Sequence, residues 1–292
     1  MRHVILVSGK DSFAAAVVQK AKAPDLDYEY IFNPTGAELP PVNEWLSRVE
    51  AYLGCPIVRV GENLTNIIHD KDYLPSHGQR FCTKEAKIRP LERYLGRSEP
   101  VTVYYGLRYD ELERSGYTPT PGSVIVPEYP LREARMTLPM VWGMVDKMGL
   151  MPPLFLWQEM VDKVKFKIGK STMMDDLLPW ETQVLFSWRS RPNCYYCFFQ
   201  RQYEFIGLHD HFPDLFWEAV EMEESTGGGG FTINRNYSLR QLLDRRRAIF
   251  NKRAKQIIRI LRDRANRPMV PFGDGESVGT LEITSCGLYC GK

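Results

Sequence analysis

The chain has 292 residues, 43% hydrophobic and 25% charged, with a formal net charge of +2, which is material for one large core or two smaller ones. No run reaches membrane-spanning length, because Lys147, Pro152 and Pro153 interrupt the Met/Leu-rich stretch at 136–157, and Met1-Arg2-His3 leads into a strand pattern rather than a secretory signal. These features predict a cytoplasmic globular protein, in which the six cysteines are not a disulfide framework.

Val4-Ile5-Leu6-Val7 runs directly into Ser8-Gly9-Lys10-Asp11-Ser12, followed at once by Phe13-Ala14-Ala15-Ala16-Val17-Val18. An apolar run of strand length, a small-residue turn and an Ala/Val-rich helix start gather backbone N–H groups and a helix N-terminus around one point, which favours bound phosphate. The loop lacks both Gly-x-x-x-x-Gly-Lys-Ser/Thr and Gly-x-Gly-x-x-Gly. Further strand-length runs at 28–32, 57–60 and 101–105 alternate with amphipathic stretches, predicting an α/β fold with a parallel sheet and helices on both faces. Ligands bind such sheets beyond the carboxyl ends of the strands, where residues 8–12, 35–38 and Arg108 fall. Residues 116–130, with Pro119, Pro121, Gly122 and Pro127, read as a loop, and 227–230 as a flexible glycine link.

Cys194-Tyr195-Tyr196-Cys197 is a tight pair suited to gripping a metal or a cluster, with structural zinc as an alternative to iron and sulfur. Cys55 before Pro56 reads as a small buried hydrophobe. Charge changes character near the end: Asp244 to Arg267 holds ten basic residues against two aspartates, a net +8 in a chain of +2. Leu239, Leu242, Leu243, Ile249, Phe250, Ile257, Ile258, Ile260 and Leu261 recur at helical spacing, so the segment is a helix with one apolar stripe and a basic remainder. Arg245, Arg246, Arg247, Lys252, Arg253 and Lys255 are the candidate contacts to a polyanion such as DNA or tRNA, with DNA preferred and a membrane surface disfavoured.

The 8–12 loop and four further ordered segments before residue 145 add a resemblance. The 8–12 loop resembles the PP-loop of N-type ATP pyrophosphatases in a shortened form, and Thr35-Gly36-Ala37-Glu38 resembles the Thr-Gly-x-Glu turn of the phosphoadenosine phosphosulfate (PAPS) reductase family. Arg80-Phe81-Cys82 through Lys87 and Pro90 resembles that family's Arg-x-Cys-x-x-x-x-Lys-x-x-Pro segment, and Gly106-Leu107-Arg108-Tyr109-Asp110-Glu111 its Gly-x-Arg-x-x-Glu. Tyr129-Pro130-Leu131 and Val141-Trp142 continue the match.

The resemblance implies an adenine nucleotide alpha-hydrolase-like domain at 1–145, followed at 146–292 by a mostly helical, basic region containing cysteines. It implies ATP and Mg²⁺ held by Ser8, Gly9, Lys10, Asp11 and Ser12, with Thr35, Gly36, Glu38 and Arg108 near the nucleotide and Lys10 and Asp11 in catalysis. A 4Fe-4S cluster on Cys82, Cys194 and Cys197 is implied, with Cys290 or Cys286 as fourth ligand. Most similar within the family are the ATP pyrophosphatases of DNA phosphorothioation systems, which implies adenylation of a nucleic-acid backbone and sulfur from a cysteine desulfurase or other persulfide donor. Two alternatives remain: a PAPS or adenylyl-sulfate reductase with Cys286 of Cys286-Gly287-Leu288 as nucleophile, and a non-catalytic nucleic-acid-binding subunit. Self-association is left open.

Overall fold

The computed structural model describes residues 1–265 apart from 97, 120–121, 154 and 190–192. Five parallel strands, β1 (Arg2–Leu6), β2 (Tyr28–Phe32), β3 (Ile57–Arg59), β4 (Val101–Tyr104) and β5 (Ile125–Glu128), form one sheet in the order β3-β2-β1-β4-β5. β1 is central, with Ile5 opposite Tyr30 of β2 and Tyr104 of β4. Alternation along the strands sends Val4, Leu6, Ile31, Val101 and Val103 to one face and Ile5, Val7, Tyr30 and Phe32 to the other, and both sets are buried, as a sheet covered on both sides requires.

The face of Ile5, Val7, Tyr30 and Phe32 carries α1 (Lys10–Lys22), α2 (Pro40–Leu53), α3 (Leu64–Lys71) and, further along the chain, α6 (Pro130–Glu133) and α7 (Leu138–Lys147), whose buried side chains join its core. The face of Val4, Leu6, Ile31, Val101 and Val103 is covered by a segment that begins as α4 (Phe81–Thr83), passes through a π-helical turn at Lys84–Ile88 and ends as α5 (Arg89–Leu95), from which Leu91 and Leu95 pack on the strands.

Four strands match the apolar runs read from sequence. β5 lies in the stretch expected to be a loop. Proline is tolerated on an edge strand because one row of its N–H groups faces outward, and Pro127, opposite Val103, sits on such an edge.

The remaining chain is helical: α8 (Gln158–Ile168), α9 (Pro179–Phe186), α10 (Gln202–His211), α11 (Pro213–Ser225), α12 (Leu239–Asp244) and α13 (Arg246–Ala265). Residue 145 is not a break in packing, since one contiguous cluster of buried side chains runs from Ile5 through Trp157, Trp188 and Phe216 to Leu261. The glycine run is a turn rather than a link: Thr226–Gly229 is a 3₁₀ turn, with Gly227 and Gly228 at φ 58° and 64°. Gly227 N–H donates to Asp72 Oδ1 at 2.6 Å. Buried Glu223 then accepts from Ile233 N–H at 2.9 Å and Leu239 N–H at 2.7 Å, tying the chain back at the start of α12. No described helix is long and apolar enough to cross a membrane.

Candidate functional site

The strand order reverses between β1 and β4, and open parallel sheets bind ligands beyond the carboxyl ends of the strands at such a switch point. The loop after β1 opens α1 there. Ser8 and Gly9 N–H groups both donate to Ser12 Oγ, at 2.7 and 3.0 Å, and the Ser12 hydroxyl donates to Gly9 O at 2.9 Å. Two backbone donors thus converge on one oxygen beside a helix N-terminus, the arrangement that a phosphate oxygen exploits.

Lys10 Nζ donates to both Asp11 oxygens, at 2.8 and 2.9 Å, and Arg108 Nη1 donates to Asp11 Oδ2 at 3.0 Å. Arg108 is 4% exposed and is fixed from its own loop, its Nε on Asp110 Oδ1 at 2.9 Å and its backbone N–H on Glu111 Oε2 at 3.0 Å. Burial by itself raises the Asp11 pKa, but the Lys10 and Arg108 charges outweigh it and hold the carboxyl below its usual range. The loop after β4 reaches this cluster because Gly106 lies flush on the 8–12 loop: a Cβ there meets Ser12 N at 2.4 Å.

The second element is the turn after β2. Glu38 Oε1 accepts from Thr35 N–H at 2.8 Å and from the Thr35 hydroxyl at 2.6 Å, while Oε2 accepts from Gly36 N–H at 3.0 Å. Gly36 takes φ 76°, a conformation that favours glycine, and a Cβ there would press on the Asn63 amide at 2.8 Å. Asn63 itself caps α3 through Asn66 N–H at 3.1 Å, and Leu64 N–H donates to Thr35 O at 2.8 Å.

This turn meets the Cys194 loop, which is remote in sequence. Thr35 Oγ1 lies 3.1 Å from Cys194 Sγ, and Tyr195 N–H donates to Ala37 O at 2.8 Å. The one hydroxyl hydrogen of Thr35 is committed to Glu38, so the Cys194 thiol is the donor in this contact. Burial pushes the Cys194 thiol well up, against the opposing pull of the Lys87 charge. Cys82 is raised for the same reason and by the neighbouring Cys197, and Lys87 draws it down as well.

Cys82, Cys194 and Cys197 are therefore neighbours in one field that also includes Lys87, on the π-helical turn, and Arg80, which stands over the Phe199 ring at 5.1 Å. Among the described residues no three His, Cys, Asp or Glu side chains form a metal-holding group. Cys286 and Cys290 lie outside the described residues. Cys55 is half-buried against the core, away from this group in the chain, and burial raises its thiol.

The basic segment divides on folding. Arg253 is buried: its guanidinium donates to Leu185 O at 2.7 Å and to Gln256 Oε1 at 3.1 Å, and stands 4.6 Å from the Tyr203 ring. It is thus not available to a polyanion. Arg246 forms a two-pronged ion pair with Asp210, and Arg264 pairs with Glu181 at 2.9 Å. Arg245 lies over the Tyr237 ring at 4.4 Å. Arg247, Lys252 and Lys255 are exposed.

Sequence reasoning missed three contributions. Arg80 was legible only as the first residue of its segment, Asn63 only as a helix cap, and Gly106 only as part of Gly-x-Arg, although each of these local signals is present in the sequence. Compared with models of known families and with curated proteins, the chain matches neither.

Proposed function

We propose that the chain is an ATP pyrophosphatase with the fold of adenine nucleotide alpha-hydrolases, which adenylates a nucleic-acid backbone for later replacement of oxygen by sulfur. One juxtaposition carries this reading. The 8–12 loop with Lys10 and Asp11 stands at the sheet's switch point, and the adjacent 35–38 turn contacts the half-buried Cys194 through Thr35, which supports a nucleotide site and a thiol on either side of one turn.

In this reading the Ser8 and Gly9 N–H groups, which converge on Ser12 Oγ, turn to phosphate oxygens, and Lys10 leaves Asp11 to neutralise the leaving pyrophosphate. Asp11, kept ionised by Lys10 and Arg108, is the side chain suited to hold Mg²⁺, a hard cation that takes carboxylate oxygen and supplies charge stabilisation to the phosphates. An oxygen of the acceptor attacks the α-phosphorus, the bond to the bridging oxygen of the β-phosphate breaks, and pyrophosphate departs. Arg108 orients Asp11, and rate comes from position and charge.

Thiolate sulfur is the ligand chemistry that an iron–sulfur cluster or zinc takes, so Cys82, Cys194 and Cys197 are the described residues such a group would use. The sulfur itself comes from a persulfide donor such as a cysteine desulfurase. The test is release of AMP and pyrophosphate from ATP. Lys10→Ala should reduce it by about 10²–10³-fold, the effect of removing one preorganised charge-stabilising donor, with the fold intact by circular dichroism. Unchanged release would overturn the reading, as would sulfite release from PAPS or adenylyl sulfate in place of pyrophosphate release from ATP.

A further inference from the structure

Helix α13 carries four of its exposed cations along one line. Lys252, Lys255, Arg259 and Arg262 follow at spacings of three and four residues, which at about 3.6 residues per turn puts them on a common face. All are exposed, and among the described residues none has an acidic partner. The opposite face is buried: Phe250 meets the Trp157 ring edge-on at 5.0 Å, and Ala254, Ile257 and Leu261 lie in the core. Arg253 points inward among them, as its bond to Leu185 O requires. Folding therefore sorts the basic segment into anchors and a free stripe.

We propose that this stripe, rather than the Arg245, Arg246 and Arg247 triplet, is the surface on which duplex DNA docks through its phosphates. The inference rests on the nucleic-acid reading above and assigns its surface. Of the triplet, Arg246 is spent on Asp210 and Arg245 lies over Tyr237, while Arg247 is exposed but stands five residues before Lys252, outside the three- and four-residue spacing of the stripe.

From Lys252 to Arg262 the helix runs for about 15 Å, at ~1.5 Å per residue. A duplex carries one phosphate per ~1.7 Å of axis with both strands counted, so roughly nine lie along that length and about half that number on one strand, enough for four cations. A straight helix holds its charges on a fixed line that a regular duplex backbone can follow. The apolar side of α13 is covered by α8 and α10, so this helix does not present the free apolar face by which an amphipathic helix enters a lipid surface.

The experiment measures binding of the full chain to a short random-sequence duplex by fluorescence anisotropy, between about 50 and 200 mM salt. Four phosphate contacts give a log–log slope of about −3.6, and Lys255→Gln/Arg259→Gln should flatten it by about 1.8. Lys147→Gln/Lys170→Gln removes equal charge from exposed positions elsewhere and should leave the slope unchanged.

Equal flattening in both double variants would overturn the proposal, leaving only net charge. Stripe variants that bind like wild type would overturn it while the nucleic-acid reading stands. Wild type that fails to bind duplex would overturn both, and so would preferential capture by anionic phosphatidylserine vesicles. Slope loss confined to the stripe variants, in a chain that releases no pyrophosphate, would support the surface and sink the adenylation reading.

Discussion

Gly106→Ala tests whether the close approach of two loops builds the site. The Cβ would lie 2.4 Å from Ser12 N, 2.5 Å from Ser12 Cα and 2.6 Å from Asp11 C, against 3.4 Å for ordinary contact. All three are backbone atoms that cannot rotate aside, so one loop must retreat by about 1 Å, at an overpacking cost of about 1–3 kcal/mol. In a chain of this size that lowers Tm by on the order of 2–4 °C per kcal/mol. The functional loss should be larger, because a displacement of about 1 Å at reacting groups costs about 10²-fold in rate. Pyrophosphate release and thermal melting measured on the same samples separate the two effects. Gly54→Ala is the control: Gly54 caps α2 at φ 72° with nothing within 4 Å of its would-be Cβ, so its substitution costs backbone strain alone and leaves turnover intact. If Gly106→Ala retains turnover within about twofold of wild type, the 8–12 loop is not held by the loop after β4, and the reasoning fails.

Two further outcomes follow from the charged groups. The Asp11 pKa is depressed below 3.8 on folding, so its ionised form adds stability that is present above about pH 3.8 and lost as pH falls through the lower folded value; Asp11→Asn should flatten that acid limb in urea titrations taken at successive pH values, and an unchanged limb would refute the assignment. Arg253→Ala should destabilise the chain by roughly 2–4 kcal/mol in urea, by leaving Leu185 O unpaired and opening space against Tyr203, whereas the neighbouring exposed Lys255→Ala should stay within about 0.5 kcal/mol; equal effects would mean that Arg253 is not an anchor.

Local pattern carried much of this protein. Apolar runs of strand length are written into residues 4–7, 28–32, 57–60 and 101–105, and β1 to β4 form where those runs lie. The 8–12 loop, the 35–38 turn and Arg108 were legible as sheet-end positions because parallel strands joined by helical crossovers deliver their following loops to one edge.

What local pattern omits is which distant groups meet. Pro127 argued for a loop until β5 took the sheet edge, where a missing N–H costs least. The glycines at 227–230 read as a link until Asp72 and Glu223 pinned the turn and its continuation. A run of ten cations has one formal charge in sequence, yet Asp210, Glu181 and the Leu185 carbonyl, each far away along the chain, decided that Arg246, Arg264 and Arg253 serve the fold and left the stripe to solvent. Thr35 and Cys194 are 159 residues apart and meet at 3.1 Å. Helical and strand periodicities arise from the covalent chain over a few residues, whereas such encounters depend on how whole faces pack, and only the tertiary structure decides that.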